Sequence, residues 1–382
     1  MNLISSFVLI SHNIFFILLG IIGVGFLIGF HELGHFLFCK LFGIRTPSFS
    51  IGFGPRLLSK KIGDTVFSLS AIPLGGYVEI AGNAEVGQGE QKESLSQDEG
   101  SFANKPYYQK LLVMLGGIAF NLAFAYAAFI LIYVSGLPNT PHFYPDNAQP
   151  VISDVLEDSA AGHAGLKTGD YILAINGTPI HGDVARAIKL IEPLAGQQAE
   201  IIVDREGIEH NYVALVGEKP SVENPNEKVG SLGVVFQMSS TQYPFLKAVK
   251  LGIAKVNFVI AKTAGAFKGL FSGRDLKHMA GPLMIISMTA KSAGAGFKIF
   301  LFLLAIISIN LAVLNLIPLP ILDGGQILFT TIEAIIGREL PIKVKEYIHI
   351  ACWLLLLGLI IFLSTQDIYR ILKPLITKIT GK

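Results

Sequence analysis

Charge is scarce in this sequence. Only 15% of the 382 residues are Asp, Glu, Lys or Arg, against about 25% in an average soluble domain. That deficit argues against one large soluble globule. A net charge of +2 gives no reason to expect a nucleic-acid or acidic partner. Cysteine is nearly absent too. Cys39 and Cys352 both lie in apolar runs and read as small core residues, not as a disulfide framework. The first 39 residues contain no Lys or Arg. The apolar start therefore lacks the basic region of a signal peptide and reads as a retained helix. No internal repeat is visible.

Apolar residues are abundant, at 51%, with a mean hydropathy of +0.56. This excludes disorder, which needs few of them. Four runs, near 14–39, 111–134, 297–321 and 347–363, approach the roughly 20 apolar residues that span a bilayer as helix. Lys40, Arg45, Arg56, Lys60 and Lys61 follow the first run. The positive-inside rule then puts the N-terminus outside and 40–110 inside. Arg338, Lys343 and Lys345 agree with that placement, whereas the basic tail through Lys382 dissents. The expected fold is a multi-pass α-helical membrane protein with about four spans, a membrane-associated β region and an inserted β-rich domain.

The expected divisions are a first span over 1–43, short strands over 44–82, a flexible polar linker over 83–106 and a second span over 107–136. A β-rich domain follows over 137–220, then an amphipathic juxtamembrane region over 221–292, a third span over 293–325, and a fourth span with the tail over 326–382. In the β-rich domain, Gly169-Asp170 and Asn176-Gly177 are turn signals between short apolar strands, and 184–191 reads as a helix. Lysines at 247, 250, 255, 262 and 268 mark an amphipathic helix, either on the membrane surface or packed on the bundle.

The few ionisable groups inside the apolar runs carry the chemistry. His31-Glu32-Leu33-Gly34-His35 places two imidazoles at i and i+4 on one helix face, where both can bind one zinc ion. Glu32 lies on a neighbouring face, positioned to take a proton from a water the metal activates. Ionisable groups in a membrane helix cost about 2.5–3.5 kcal/mol for each charged one, so they are functional by default. The bland alternative is two histidines at the interface, satisfied by water or headgroups. A catalytic zinc needs a third protein ligand. Asp323 is the other ionisable residue at comparable depth, ending Asn315-Leu316-Ile317-Pro318-Leu319-Pro320-Ile321-Leu322-Asp323-Gly324-Gly325. The two prolines disrupt the helix there. The bland alternative for Asp323 is a cap on the next helix.

With these motifs the sequence resembles the site-2 protease family of intramembrane zinc metalloproteases, in particular the bacterial regulator of sigma-E protease branch. The resemblance covers nearly the whole chain. It implies that His31, His35 and Asp323 bind Zn²⁺, that Glu32 is the general base, and that Asn315 holds the substrate backbone or the developing oxyanion. Gly75, Gly76 and Tyr77 match a hairpin that holds substrate as an added strand. Phe102, Lys105-Pro106 and Met279-Ala280-Gly281-Pro282 match other family segments. The segment 150–180 resembles a protease-associated PDZ domain whose groove beside 184–191 takes a peptide or chain end, or which serves as a size filter.

There are two departures. Gly117 to Asn121 keeps the Gly and Asn of a family pattern without its Pro, and there is room for one PDZ domain where some members have two. The implied partners are transmembrane protein substrates, such as anti-sigma factors and signal-peptide remnants, and the lipid bilayer, with no nucleic acid. The implied location is the bacterial inner membrane, with the N-terminus and PDZ domain on the periplasmic side. Two other readings stay open: a non-proteolytic PDZ scaffold, and a metal transporter. The transporter would need more ionisable groups than the lone His349 in spans two and four.

Overall fold

The computed structural model describes residues 3–83, 93, 96–138, 140, 143, 144, 146–220, 228–271, 281–338 and 340–380. Part of the expected linker, 84–92 with 94 and 95, lies outside the described residues. So do 221–227 and 272–280, which include Met279 and Ala280. The chain divides into two compact units, Met1–Leu131 with Phe245–Lys382, and Ile132–Pro244.

Among the described residues four helices contain segments long and apolar enough to cross a membrane: Ile14–Leu41, Tyr107–Ser135, Phe297–Asn315 and Lys343–Arg370. They belong to helices α1 (Leu3–Leu41), α2 (Tyr107–Ser135), α7 (Phe297–Asn315) and α9 (Ile342–Thr380). On α1 the residues Phe15, Leu18, Ile22 and Phe26 form an exposed apolar stripe. Their spacing keeps them on one face, a face suited to lipid. Gly34 of α1 and Gly116 of α2 let the two backbones meet. A Cβ at Gly116 would lie 2.8 Å from the Gly34 carbonyl oxygen. Small residues at such crossings are how membrane helices approach closely.

Helix α5 (Phe245–Phe271) carries the lysines expected of an amphipathic helix. It packs on the bundle: the Tyr126 hydroxyl donates to Asn257 at 2.6 Å and the Thr263 hydroxyl to Asn310 at 3.0 Å. Helix α6 (Pro282–Ala295) starts with Pro at its first turn. The amides of Gly281, its N-cap, and of Met284 donate to Asp367 of α9 at 3.1 and 2.9 Å.

The short strands expected over 44–82 are two long ones, β1 (Ser48–Ile62) and β2 (Thr65–Glu79). Gly52 and Gly54 have φ of +89° and +86°, so they bend β1 without ending it. Residues 48–51 are paired on both sides, with 66–69 and with 76–79. The segment 76–79 is thus an edge, and among the described residues no further strand pairs with it. The expected flexible linker is also corrected where it is described. Arg45 binds Glu93 at 2.8 Å and Asp98 at 2.5 Å. Ser101 caps a short 3-10 turn and Phe102 is buried, so 96–106 is held against the β region.

The second unit contains a sheet with β10 (Val234–Met238), β3 (Ala148–Val155), β4 (Tyr171–Ile175), β6 (Gln198–Arg205) and β7 (Ile208–Leu215) in that order; β5 (Thr178–Pro179) pairs with β4. Asn176 and Gly177 have φ of +46° and +70°, the two-residue turn expected between β4 and β5. Helix α4 spans Val184–Ile191, as expected, capped by Asp183. The expected boundary at 220 is too early. Strand β10 pairs with β3, a partner far away in sequence, so local patterning does not reveal it. Asp170 is fully buried and receives Arg205 at 2.6 and 2.8 Å and the Lys167 amide at 2.8 Å. Burial alone would raise its pKa; the Arg205 guanidinium and the Lys167 amide outweigh that and hold it below the usual carboxylate value. A groove of about 90 Å³ beside α4 is lined by Ile172, Ala187, Ile188, Leu232 and Phe236.

Candidate metal centre

His31 and His35 lie one turn apart near the C-terminal end of α1, and both are buried. Asp323 comes from the other end of the chain. Helix α7 stops at Asn315, and the turn through Pro318 and Pro320 leads into α8 (Asp323–Ile336). The third apolar run therefore ends as helix before its prolines, as the missing backbone donors require. The N-cap of α8 is Leu322, with no side-chain cap. The Asp323 carboxylate is turned to the histidines instead, so the capping alternative does not hold.

The three side chains converge. His31 Nε2 lies 3.0 Å from His35 Nε2 and 3.2 Å from Asp323 Oδ2. His35 Nε2 lies 3.5 Å from Asp323 Oδ1. A tetrahedral zinc at about 2.0–2.1 Å from each ligand spaces its ligand atoms about 3.3 Å apart, which these separations bracket. His35 Nδ1 donates to the Val113 carbonyl at 2.8 Å, so a neutral His35 turns an Nε2 lone pair into the site. Asp323 Oδ2 is buried without a hydrogen-bond partner. A buried carboxylate oxygen left without a partner beside two imidazole nitrogens is accounted for by a bound ion, and a donor set of two imidazoles and a carboxylate suits zinc.

The other expected residues surround this point. A cavity of about 500 Å³ is lined by Glu32, Asn315, Val78, Trp353 and the three converging side chains, among others. Asn315 Nδ2 is 3.4 Å from His31 Nε2. Gly76 lies on the edge strand over Glu32; a Cβ there would sit 3.5 Å from the Glu32 Cγ. Gly75 has φ of +138°, and any side chain there would collide with the Phe53 ring. Tyr77 is buried, with Arg56 3.5 Å from its hydroxyl, and it does not line the cavity.

Sequence reasoning missed the part played by α2. Val113, Gly117 and Asn121 are spaced by four and share one face. A Cβ at Gly117 would sit 2.5 Å from His35 Nε2 and 2.7 Å from His31 Nε2. The adjacent glycines Gly116 and Gly117 were the available signal for this close approach.

Comparison with known proteins agrees with the geometry. The profile of Peptidase family M50 matches residues 19–359. A protein of Campylobacter jejuni is 33% identical over 91% of this chain and 92% of its own length. One from Fusobacterium nucleatum is 31% identical over 93% and 98%, and one from Clostridium perfringens 32% identical over 92% and 98%. All three carry the name zinc metalloprotease.

Proposed function

The chain belongs to peptidase family M50, the site-2 protease family, as a membrane zinc metalloprotease; from that premise we propose that it cuts single-span membrane proteins within the bilayer. His31, His35 and Asp323 hold the zinc, and Glu32 is the general base. The observation that carries this reading is the convergence of those three donor atoms within 4.8 Å of one another in a cavity that Glu32 also lines.

Each residue has a part to play. When bound there, zinc supplies Lewis-acid chemistry, polarising a carbonyl and acidifying water. Glu32 takes the proton of the attacking water and returns it to the leaving amine. The Asn315 amide donates to the oxygen that gains charge as the carbonyl is attacked. A helical peptide bond is shielded by its own turns, so substrate must be extended at the cut. The edge at 76–79 can receive it as an added strand, with Gly76 leaving room above Glu32.

The β-rich unit is read as a single PDZ domain, with the groove beside α4 for a peptide or chain end, or acting as a size filter. The four apolar helices support a multi-pass arrangement and the family a bacterial inner membrane, while the basic residues after the first span favour an external N-terminus, which with alternating spans puts the PDZ domain on the periplasmic side. Substrates of this class include anti-sigma factors and signal-peptide remnants. A non-proteolytic scaffold would tolerate a degenerate metal site, whereas here the ligand set and Glu32 are complete.

The test uses a reporter transmembrane helix with the purified chain. Glu32→Gln should retain stoichiometric zinc and lose cleavage. Surviving cleavage would remove Glu32 from the mechanism.

A further inference from the structure

The outer partners of the two histidines are not equally settled. His35 is fixed, because its Nδ1–H has the Val113 carbonyl. His31 Nδ1 faces the Asn121 amide nitrogen at 3.1 Å, while Asn121 Oδ1 is buried and has no hydrogen-bond partner. Asn121 itself is completely buried. Its backbone is held in place, since the Ser308 hydroxyl donates to the Asn121 carbonyl at 2.8 Å.

Two tautomers of His31 are at stake. If Asn121 Nδ2 donates to Nδ1, the ring carries its proton on Nε2 and cannot use that atom as a ligand. If the amide is turned over, a rotation that keeps its shape, Oδ1 accepts the Nδ1–H. Nε2 then keeps its lone pair for the metal. Ligating histidines usually donate the other ring N–H to such an oxygen, which fixes the tautomer and raises ligand basicity. One buried acceptor without a donor thus sits on the side chain that faces the nitrogen needing an acceptor.

We propose that Asn121 is a positioning residue for the metal centre: its Oδ1 takes the Nδ1–H of His31 and holds that ring in the zinc-ligating tautomer. This rests on the reading of His31 as a ligand. It makes one face of α2 the outer support of both histidines, through the Val113 carbonyl for His35 and the Asn121 side chain for His31. The Gly117 carbonyl also interacts with the His31 ring, and the following experiment separates the two acceptors.

The full-length protein is purified in detergent and stripped of metal. Zinc affinity is then read by competition with a chelating dye for wild type, Asn121→Leu, Asn121→Ala, Asn121→Asp and His31→Ala. Thermal unfolding of each metal-free protein reports folding independently, and Asn121→Ala serves if the leucine variant does not fold. Removing the acceptor in Asn121→Leu and Asn121→Ala should weaken zinc binding about 10–100-fold. Asn121→Asp keeps an acceptor and loses the donor, so it should stay within about threefold of wild type. The proposal is overturned if the leucine and alanine variants keep wild-type affinity, which would assign the proton to the Gly117 carbonyl. It is equally overturned if Asn121→Asp loses as much as Asn121→Leu, which would make Nδ2 or packing the operative feature. If His31→Ala itself binds zinc like wild type, the ligand reading fails, whatever the Asn121 variants do.

Discussion

Replacing Gly117 by alanine adds one methyl group at the most sensitive point of the molecule. The new Cβ would stand 2.5 Å from His31 Cε1, 2.5 Å from His35 Nε2 and 2.7 Å from His31 Nε2. Ordinary contacts to carbon are about 3.5–4.0 Å, so both rings or the whole of α2 must give by about 1 Å. The rings cannot retreat freely, because His35 is tied to Val113 on the same helix. Overpacking of this kind costs about 1–3 kcal/mol of stability. A misplacement of about 1 Å at a catalytic centre can cost about 10²-fold in rate. Gly117→Ala should therefore weaken zinc binding, measured by dye competition, and lower reporter cleavage by about 10²-fold. The control is Gly358→Ala in α9, where an added Cβ meets nothing within 4 Å. It should leave zinc and cleavage unchanged and favour the helix by up to about 1 kcal/mol. Wild-type zinc affinity and cleavage in Gly117→Ala would refute the reasoning, since α2 would then be free to withdraw.

Two further outcomes are expected. Asn315→Ala should retain zinc and lose about 10²–10³-fold in cleavage rate, the usual loss for one oxyanion donor; a loss of zinc instead would make Asn315 structural. Asp170→Asn should destabilise the β-rich unit by about 2–3 kcal/mol near neutral pH, as for a hydrogen-bonded buried charge, read from thermal unfolding followed in that unit. The folded pKa of Asp170 is lowered, so its contribution is full above the unfolded value near 3.9 and is lost as pH falls through the folded value. The gap between wild type and variant should narrow over that acid range; a constant gap would assign the effect to packing.

What the sequence shows and what it conceals follow physical lines. The four long helices are legible because bilayer-length apolar runs are a local property. His31, Glu32, His35 and Asp323 stand out because charge is costly in such runs. The turn at Asn176-Gly177 is legible because two successive residues of positive φ favour those types. Partnerships across the chain are not legible in this way. Asp367 supplies acceptors to the start of α6, 83 and 86 residues away in sequence, and nothing in its own neighbourhood announces that. The Val113 carbonyl is a backbone atom, so no residue type encodes it. The pairing of β10 with β3 likewise depends on tertiary closure.

The glycine crossing of α1 and α2 has a mechanical consequence. Where Gly34 meets Gly116, backbone rests on backbone and no rotamers are available to absorb a shift. The joint has no play. His31 and His35 on one helix, and Val113 and Asn121 on the other, are therefore constrained as parts of one frame. Asp323 stands outside that frame, at the first position of α8, just after the turn that holds Pro318 and Pro320. Its own support is of the same kind, because Gly324 and Gly325 bring the start of α8 against the backbone of Leu316, Ile317, Leu319 and Pro320, so the centre is gripped by two backbone joints in which no rotamer can absorb a shift.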